Sequence, residues 1–135
     1  MSGVLMLDTN AVSALIKGQA ARLSQALEQR PFCMSVITEA ELRFGLARRP
    51  VHADLRSLIE NLLLATDIRP WTSICAGRYG KLRTELEKLG KPLAPMDLLI
   101  AVHALAEDCT LVSADRAFAQ VPGLKIVDWK DEAQA

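Results

Sequence analysis

The sequence predicts an α/β fold built around a parallel sheet. Short apolar runs alternate along the chain with longer stretches of helical periodicity, which is the pattern of strand–helix–strand units. A length of 135 residues fits one domain with a proper core, and 50% hydrophobic against 24% charged residues describes an ordinary folded protein. The chain has no internal repeat. We therefore expect one domain over 1–130, with a disordered tail at 131–135.

The first half of the sequence predicts two strands and three helices. The apolar run VLML at 4–7 is the first strand, and a short helix over 11–17 ends at a glycine, the residue that commonly follows a last helical turn. Helical spacing returns at 20–29 until a proline breaks it. The strand FCMSV at 32–36 follows, and then a helix over 38–48 that closes before the next proline.

The second half of the sequence predicts three helices and up to three strands. Leucine and isoleucine lie on one face of a helix over 52–65, and DIRPW at 67–71 is a candidate edge strand, because proline cannot donate to a central ladder. A charged helix follows at 73–89. The segment MDLLIAVHALAED is apolar on most sides and should be the most buried helix. The remaining strands are 110–113 and 124–129, which brings the expected sheet to about four to five strands.

Composition excludes several classes of protein. The N-terminus lacks a basic segment, and its apolar run is too short for a signal peptide or a membrane span, so the expected location is cytoplasmic. Three widely spaced cysteines support neither a disulfide framework nor a zinc site, and should be small buried side chains. Sixteen basic residues balance sixteen acidic ones. Any contact with nucleic acid must therefore come from local patches.

Four acidic residues fall where strands of the predicted sheet end. In parallel α/β sheets, ligands bind beyond the carboxyl ends of the strands, where loops and helix starts converge. Asp8 directly follows VLML, and Asp115 follows LVSA. Asp97 opens the apolar helix, and Glu41 lies in the first turn after the second strand. These four side chains are the candidate catalytic residues.

Each acid also has a purely structural interpretation. Asp8 and Asp97 stand where N-cap residues accept the hydrogen bonds that a helix start leaves open, and Asp115 could close a turn. Glu41 follows Thr38 at the spacing of a capping box. For the four acids together, the structural interpretations are less convincing than a shared site. Asp8 and Asp97 interrupt very apolar segments, where an unpaired carboxylate is costly to bury.

A set of four converging carboxylates would repel itself unless a cation joined it. Oxygen ligands without nearby histidine or cysteine favour Mg²⁺ or Mn²⁺ over zinc. Such an ion can activate a water and stabilise charge on a phosphodiester under attack. Glu39 competes with Glu41 for this role, since residues two apart on a helix point about 200° apart and at most one can face the site. Spacing alone leaves that choice open.

Other polar residues could support such a site. Thr9 and Ser113 each stand beside a candidate acid, so either hydroxyl could orient a water or a ligand carboxylate. Arg43 and Arg116 closely follow candidate ligands and could hold phosphates of a nucleic-acid substrate. His103, inside the apolar helix, should be a satisfied core residue. No motif for ATP binding, serine hydrolysis or zincin chemistry occurs.

Four segments together resemble a known family. MLDTNAVSALIKG, SVITEAELRFGLA, APMDLLIAVHAL and LVSADRAFAQVPGLKIVDW are similar, in this order, to the PIN-domain ribonucleases of the VapC toxin type. The resemblance covers residues 6–129, nearly the whole chain. It implies an α/β/α sandwich around a parallel sheet, usually a homodimer, and an acidic site that cuts RNA with Mg²⁺ or Mn²⁺.

The resemblance also implies a role for each acid. The family's metal-binding carboxylates fall on Asp8, Glu41 and Asp97, which favours Glu41 over its rival two residues earlier. The last acidic position falls on Asp115, where many relatives have Asn, so direct ligation is less secure there. Ser113 occupies the usual Thr or Ser position of the last motif.

By the same resemblance, a small antitoxin protein would neutralise the activity by covering the site. The segment from residue 91 to 129 looks like the subgroup that cuts initiator tRNA in its anticodon loop and so inhibits translation, although Leu98 and Asp115 depart from its usual residues. Three alternatives compete. Phosphatases of the haloacid dehalogenase type use D-x-D-x-T, which DTNAV lacks, and a receiver domain would need an Asp after FCMSV. A PIN-like module that only binds RNA or protein has no use for repelling carboxylates.

Overall fold

A computed structural model describes residues 3–48, 50 and 52–130, so the expected disordered tail at 131–135 lies outside the described residues. In chain order the elements are β1 Leu5–Leu7, α1 Thr9–Ile16, α2 Ala21–Gln29, β2 Phe32–Ser35, α3 Val36–Arg48, α4 Ala53–Ala65, β3 Asp67–Arg69, α5 Ser73–Lys88, α6 Pro95–Ala106, β4 Thr110–Val112, a 3-10 helix Arg116–Gln120 and β5 Ile126–Val127.

The five strands form one parallel sheet in the order β3-β2-β1-β4-β5. The predicted α/β fold with a parallel sheet is confirmed, and β3 lies at an edge, as its proline indicated. β1 is central: Leu5 pairs with Phe32 on one side and Thr110 on the other. The loops that follow β1, β2 and β4 therefore meet at the carboxyl edge of the sheet.

Helices cover both faces of the sheet, and alternate strand residues pack against each. Met6, Cys33 and Leu111 face a core built with α5 and α6. Leu7 and Met34 face the opposite core, built with the first four helices. Helix α6 has six buried residues out of twelve, more than any other helix of the described chain, as its apolar sequence predicted.

Several boundaries differ from the sequence prediction. Helix α1 begins at residue 9 rather than 11, because Asp8 caps it directly at the end of β1. Helix α3 begins at residue 36 rather than 38, since the Ser35 hydroxyl accepts from the Ile37 amide and ends β2 early. The last strand spans two residues instead of 124–129. The 3-10 helix was not predicted, because its five residues show no helical period long enough to recognise.

The three cysteines are buried thiols, as expected. The Sγ atoms of Cys33 and Cys109 lie 3.9 Å apart, and burial raises the pKa of Cys33 to about 12. Cys33 therefore remains a protonated thiol at neutral pH. Separately, no helix of the described residues is long and apolar enough to cross a membrane.

Candidate acidic site

The four candidate acids converge on one small pocket of about 130 Å³ at the carboxyl edge of the sheet. The residues that line it are Asp8, Thr9, Asn10, Glu41, Asp97, Ile100, Asp115 and Phe118. They come from the starts of α1, α6 and the 3-10 helix and from the second turn of α3. No basic side chain of a described residue lines the pocket, so its carboxylates face one another without a counter-charge from that part of the chain.

Asp8 is fixed at the end of the central strand and is nearly buried, with 5% of its surface exposed. Its backbone amide donates to the Val112 carbonyl, which ties it to the neighbouring strand. Its Oδ1 accepts from the Ala11 amide at 2.8 Å and caps α1. Capping uses one carboxylate oxygen. Asp8 therefore caps the helix, as its structural interpretation held, and also lines the pocket.

The pKa of Asp8 is raised, first by burial and then by the charges of Asp115 and Glu41. A hydrogen bond from the Ser113 hydroxyl and the bond from the Ala11 amide act in the opposite direction. Ser113 is 1% exposed, and its Oγ also accepts from the Asp115 amide at 3.0 Å. Ser113 therefore orients one acid of the pocket and the backbone of another.

Glu41 points into the pocket, and its Oε1 accepts a 2.5 Å hydrogen bond from the Thr9 hydroxyl. Glu39 lies on the other side of α3, where it forms a 2.7 Å ion pair with Arg43. The structure thus settles the position of the two glutamates as the 200° separation requires. The capping-box interpretation of Glu41 is wrong, because α3 starts at Val36 and leaves Thr38 in its first turn.

Asp97 is the third residue of α6, after Pro95 at the first helical position, and the N-cap is Ala94. The N-cap interpretation of Asp97 is therefore wrong. Its carboxylate accepts no hydrogen bond from a described residue, and its pKa is raised by burial and then by the charges of Asp115, Glu41 and Asp8. An acid without a structural partner, pointing at three others, indicates a binding role.

Asp115 closes a turn, as its structural interpretation predicted. It is the N-cap of the 3-10 helix, and its Oδ1 accepts from the Ala117 amide at 2.9 Å. It is the exposed member of the four acids, so it forms the rim of the pocket. Arg116 lies next to it but lines a neighbouring depression of about 210 Å³ together with Asp128.

Arg43 does not lie at the pocket. Its guanidinium pairs with Glu39 and, at 3.0 Å, with Glu60 of α4, so its expected place beside the acids is not what the structure shows. The reason is helical geometry: residues 41 and 43 point to opposite sides of α3. His103 is a core residue, fully buried, with its Nδ1 2.7 Å from the Ser35 hydroxyl. Burial lowers the pKa of His103.

Asn10, Ile100 and Phe118 were not singled out by the sequence. Asn10 stands two residues after Asp8 in DTN, which was a usable signal, since a polar residue in the first turn of a helix at a sheet edge faces the ligand region. Ile100 lies one turn beyond Asp97 on α6 and supplies an apolar wall. Phe118 belongs to the unpredicted 3-10 helix and is 1% exposed.

The donor set of the pocket fits a hard divalent cation. Carboxylate and hydroxyl oxygens surround it, with no histidine or cysteine, and this favours Mg²⁺ or Mn²⁺. In the part of the chain that the structure describes, no three acidic, histidine or cysteine side chains form a ready-made metal site. The carboxylates would have to draw together around a bound ion, and Asp97, which has no competing hydrogen bond, is free to do so.

Comparisons with known proteins agree with the fold. The sequence pattern of the PIN domain matches residues 5–124. The tRNA(fMet)-specific endonuclease VapC of Shigella flexneri is 32% identical over 127 residues, covering 92% of this chain and 96% of the relative. The ribonuclease VapC2 of Rickettsia felis is 34% identical over 131 residues, covering 93% of this chain and 98% of the relative.

Solved structures give the same result. The structure of VapBC2 from Rickettsia felis bound to a DNA fragment from its promoter superposes with a TM-score of 0.83, at 31% identity, over 93% of this chain and 98% of the other. DNA-bound VapBC from Salmonella typhimurium has a TM-score of 0.83, at 30% identity, over 93% and 97%. Together with the acidic pocket, these matches define the chain as a PIN domain. Within that class it belongs to the VapC family of toxin–antitoxin systems.

Proposed function

We propose that the protein is a Mg²⁺- or Mn²⁺-dependent endoribonuclease toxin that cuts RNA and thereby inhibits translation. The convergence of Asp8, Glu41, Asp97 and Asp115 on one pocket carries this proposal. Four carboxylates with no basic partner among the described residues are costly to keep together for a structural purpose, whereas they are the ligand set that a divalent cation needs. The names of the relatives, which include ribonuclease and tRNA(fMet)-specific endonuclease, support RNA as the substrate.

The acids differ in the hydrogen bonds that hold them in place. Asp8 is held by the Ala11 amide and the Ser113 hydroxyl, and Glu41 by the Thr9 hydroxyl, so these two acids are pre-positioned ligands. Asp97, which accepts no hydrogen bond from a described residue, would be the unrestrained ligand of a bound ion. Mg²⁺ bound there would lower the pKa of a water and offset charge on the phosphodiester.

The expected products carry a 5′-phosphate and a 3′-hydroxyl. Attack by a water activated at a divalent ion would give these ends and would not need the 2′-hydroxyl. The preference for RNA over DNA must then arise outside the four acids.

We further propose two protein partners, a second copy of this chain and a cognate antitoxin. The solved relatives are VapBC complexes, which supports the antitoxin. Large apolar side chains exposed on the described helices support protein contacts in general, because such side chains mark interfaces. They include Phe44 at 63% exposure, Leu64 at 87% and Ile74 at 70%.

The test is cleavage of purified initiator tRNA and of total cellular RNA by antitoxin-free protein, with Mg²⁺, with Mn²⁺ and with EDTA. The matched control is Asp97→Asn, which keeps the size of the side chain and removes its charge. A discrete EDTA-sensitive product from initiator tRNA, absent with the variant, would support both the nuclease and its target. Discrete cuts only in other RNAs would support the nuclease activity but contradict initiator tRNA as its target. No cleavage by folded, metal-loaded protein would favour a PIN-like module that only binds RNA or protein.

A further inference from the structure

A groove leads out of the acidic pocket along α1. It has a volume of about 400 Å³, and it shares two lining residues, Asn10 and Asp115, with the pocket. Beyond them it runs past Lys17 at the end of α1 and reaches Lys130 after β5. We name this feature the α1 groove. A further depression of about 420 Å³, lined in part by Arg22 and Lys130, continues it.

The charge of the α1 groove is opposite to that of the pocket. Lys17 and Lys130 line it, and neither forms a salt bridge with a described residue, so both charges are available to a ligand. The Lys130 Nζ lies 5.3 Å from the centre of the Trp129 ring, a cation–π contact that holds the ammonium group against the groove wall. Asp115, at the junction with the pocket, is the one acidic lining residue among those described.

The spacing of these cations suits a polyanion whose reacting bond lies in the pocket. Helix α1 has eight residues and starts at the pocket, so Lys17 lies about 12 Å from it at 1.5 Å per residue. A strand whose scissile bond lies in the pocket would therefore place one of its next few phosphates near Lys17. The pocket's carboxylates repel phosphates, so a nucleic-acid strand needs cations to hold it on either side of them.

A protein segment fits the α1 groove less well. Protein hot spots need apolar or aromatic anchors in desolvated pockets. Among the described residues, Trp129 is the one large apolar side chain that lines the groove, and its ring is already covered in part by Lys130. The remaining lining side chains are mainly small or polar, including Ser13 and Gln19.

We propose that the α1 groove binds the sugar–phosphate backbone of the RNA strand on one side of the scissile bond, with Lys17 and Lys130 contacting phosphates. The inference rests on the proposed nuclease function. The α1 groove would bind the strand independently of its sequence and outside the metal ligands, because phosphate contacts position a substrate without reading its bases.

The experiment compares RNA binding by Asp97→Asn protein, which binds without cutting, with and without the added pair Lys17→Ala and Lys130→Ala. The probe is a short fluorescein-labelled single-stranded RNA, followed by anisotropy between 50 and 200 mM salt. Each phosphate contact to a single strand contributes about 0.7 to the slope of log affinity against log salt, so losing two should lower the slope by about 1.4. When salt rises fourfold over this range, these two contacts account for about a 7-fold fall in the affinity of the protein that retains both lysines.

The control is Lys125→Ala. This lysine precedes β5, at the amino end of the strand, whereas Lys130 follows the carboxyl end. We expect it to leave both affinity and slope unchanged. An unchanged slope in the Lys17 and Lys130 variant would overturn the inference, and so would a loss of antitoxin binding with RNA binding intact. In both cases, Mg²⁺-dependent cleavage by the wild-type protein would still uphold the nuclease. Absence of cleavage would instead refute the nuclease itself, so the two failures are distinguishable.

Discussion

Replacing Asp97 by Asn should stabilise the metal-free protein and abolish its response to Mg²⁺. The Asp97 carboxylate accepts no hydrogen bond from a described residue, and burial together with three neighbouring acids raises its pKa. Such a group favours folding only while it is protonated, and that contribution is lost as pH rises through its folded pKa. The stability gained by Asp97→Asn should therefore appear at neutral pH and vanish in acid.

The magnitude follows from the size of the pocket. A pocket of about 130 Å³, treated as a sphere, is about 6 Å across. Two unit charges at that separation repel by about 3 kcal/mol at an effective dielectric constant of 20. Asp97 is only half buried, so solvent screening reduces the expected gain in unfolding free energy to about 1 kcal/mol.

Mg²⁺ should relieve the same repulsion in the wild-type protein and so stabilise it. With roughly 10 mM Mg²⁺ and a dissociation constant on the order of 1 mM, binding stabilises the folded state by about 1.4 kcal/mol. A chain of 135 residues has an unfolding entropy of about 0.28 kcal/mol per kelvin, which converts this to a Tm increase of about 5 °C. Asp97→Asn lacks a ligand and should shift by less than about 1 °C.

The assay is thermal denaturation of wild-type and Asp97→Asn protein at pH 7 and at pH 4, in EDTA and in Mg²⁺. Glu85→Gln serves as the control, because Glu85 is exposed on α5 outside the pocket. An equal Mg²⁺ shift in wild-type and variant protein would refute the reasoning. So would a variant that is less stable than wild type in EDTA at pH 7.

Substitutions at three further positions test the hydrogen bonds and ion pairs in and around the pocket. Ser113→Ala removes the hydrogen bond that lowers the pKa of Asp8, so the acid limb of the pH–rate profile should move to higher pH. Thr9→Val should lower the single-turnover rate constant of cleavage about 10-fold, because the hydrogen bond to Glu41 is lost. Thr9→Ser keeps the hydroxyl and should restore the rate. Equal rates in the two variants would argue against an orienting role. Arg43→Ala should leave cleavage unchanged and shift the midpoint of urea denaturation little, because the Arg43 guanidinium is exposed and its ion pairs lie outside the acidic pocket.

The sheet and its helices could be predicted because each element is locally consistent. The run VLML is buried on both faces, as a central parallel strand requires, and MDLLIAVHAL became the most buried helix. Element ends were less predictable. Whether Ser35 ends a strand or starts a helix depends on a hydrogen bond to Ile37, which no periodicity encodes.

The acidic pocket could be predicted from topology, since all four acids follow strands or open helices at the carboxyl edge of one sheet. The direction of individual side chains was harder. Arg43 follows Glu41 by two residues and points away from the pocket, because the 200° separation that divides Glu39 from Glu41 applies to this pair as well. The α1 groove was not predicted, because Lys17 and Lys130 are far apart in sequence and line one groove only in the folded chain.

The most direct test of the metal-dependent acidic centre is the single-turnover rate of RNA cleavage as a function of Mg²⁺ concentration, for wild-type protein and Asp97→Asn. The carboxylate pocket predicts a rate that rises with Mg²⁺ to saturation in the wild type. At saturating Mg²⁺ it predicts a fall of at least about 100-fold in the variant, as for loss of a ligand or its support. A cleavage rate independent of Mg²⁺, or one equal in the two proteins, would contradict it.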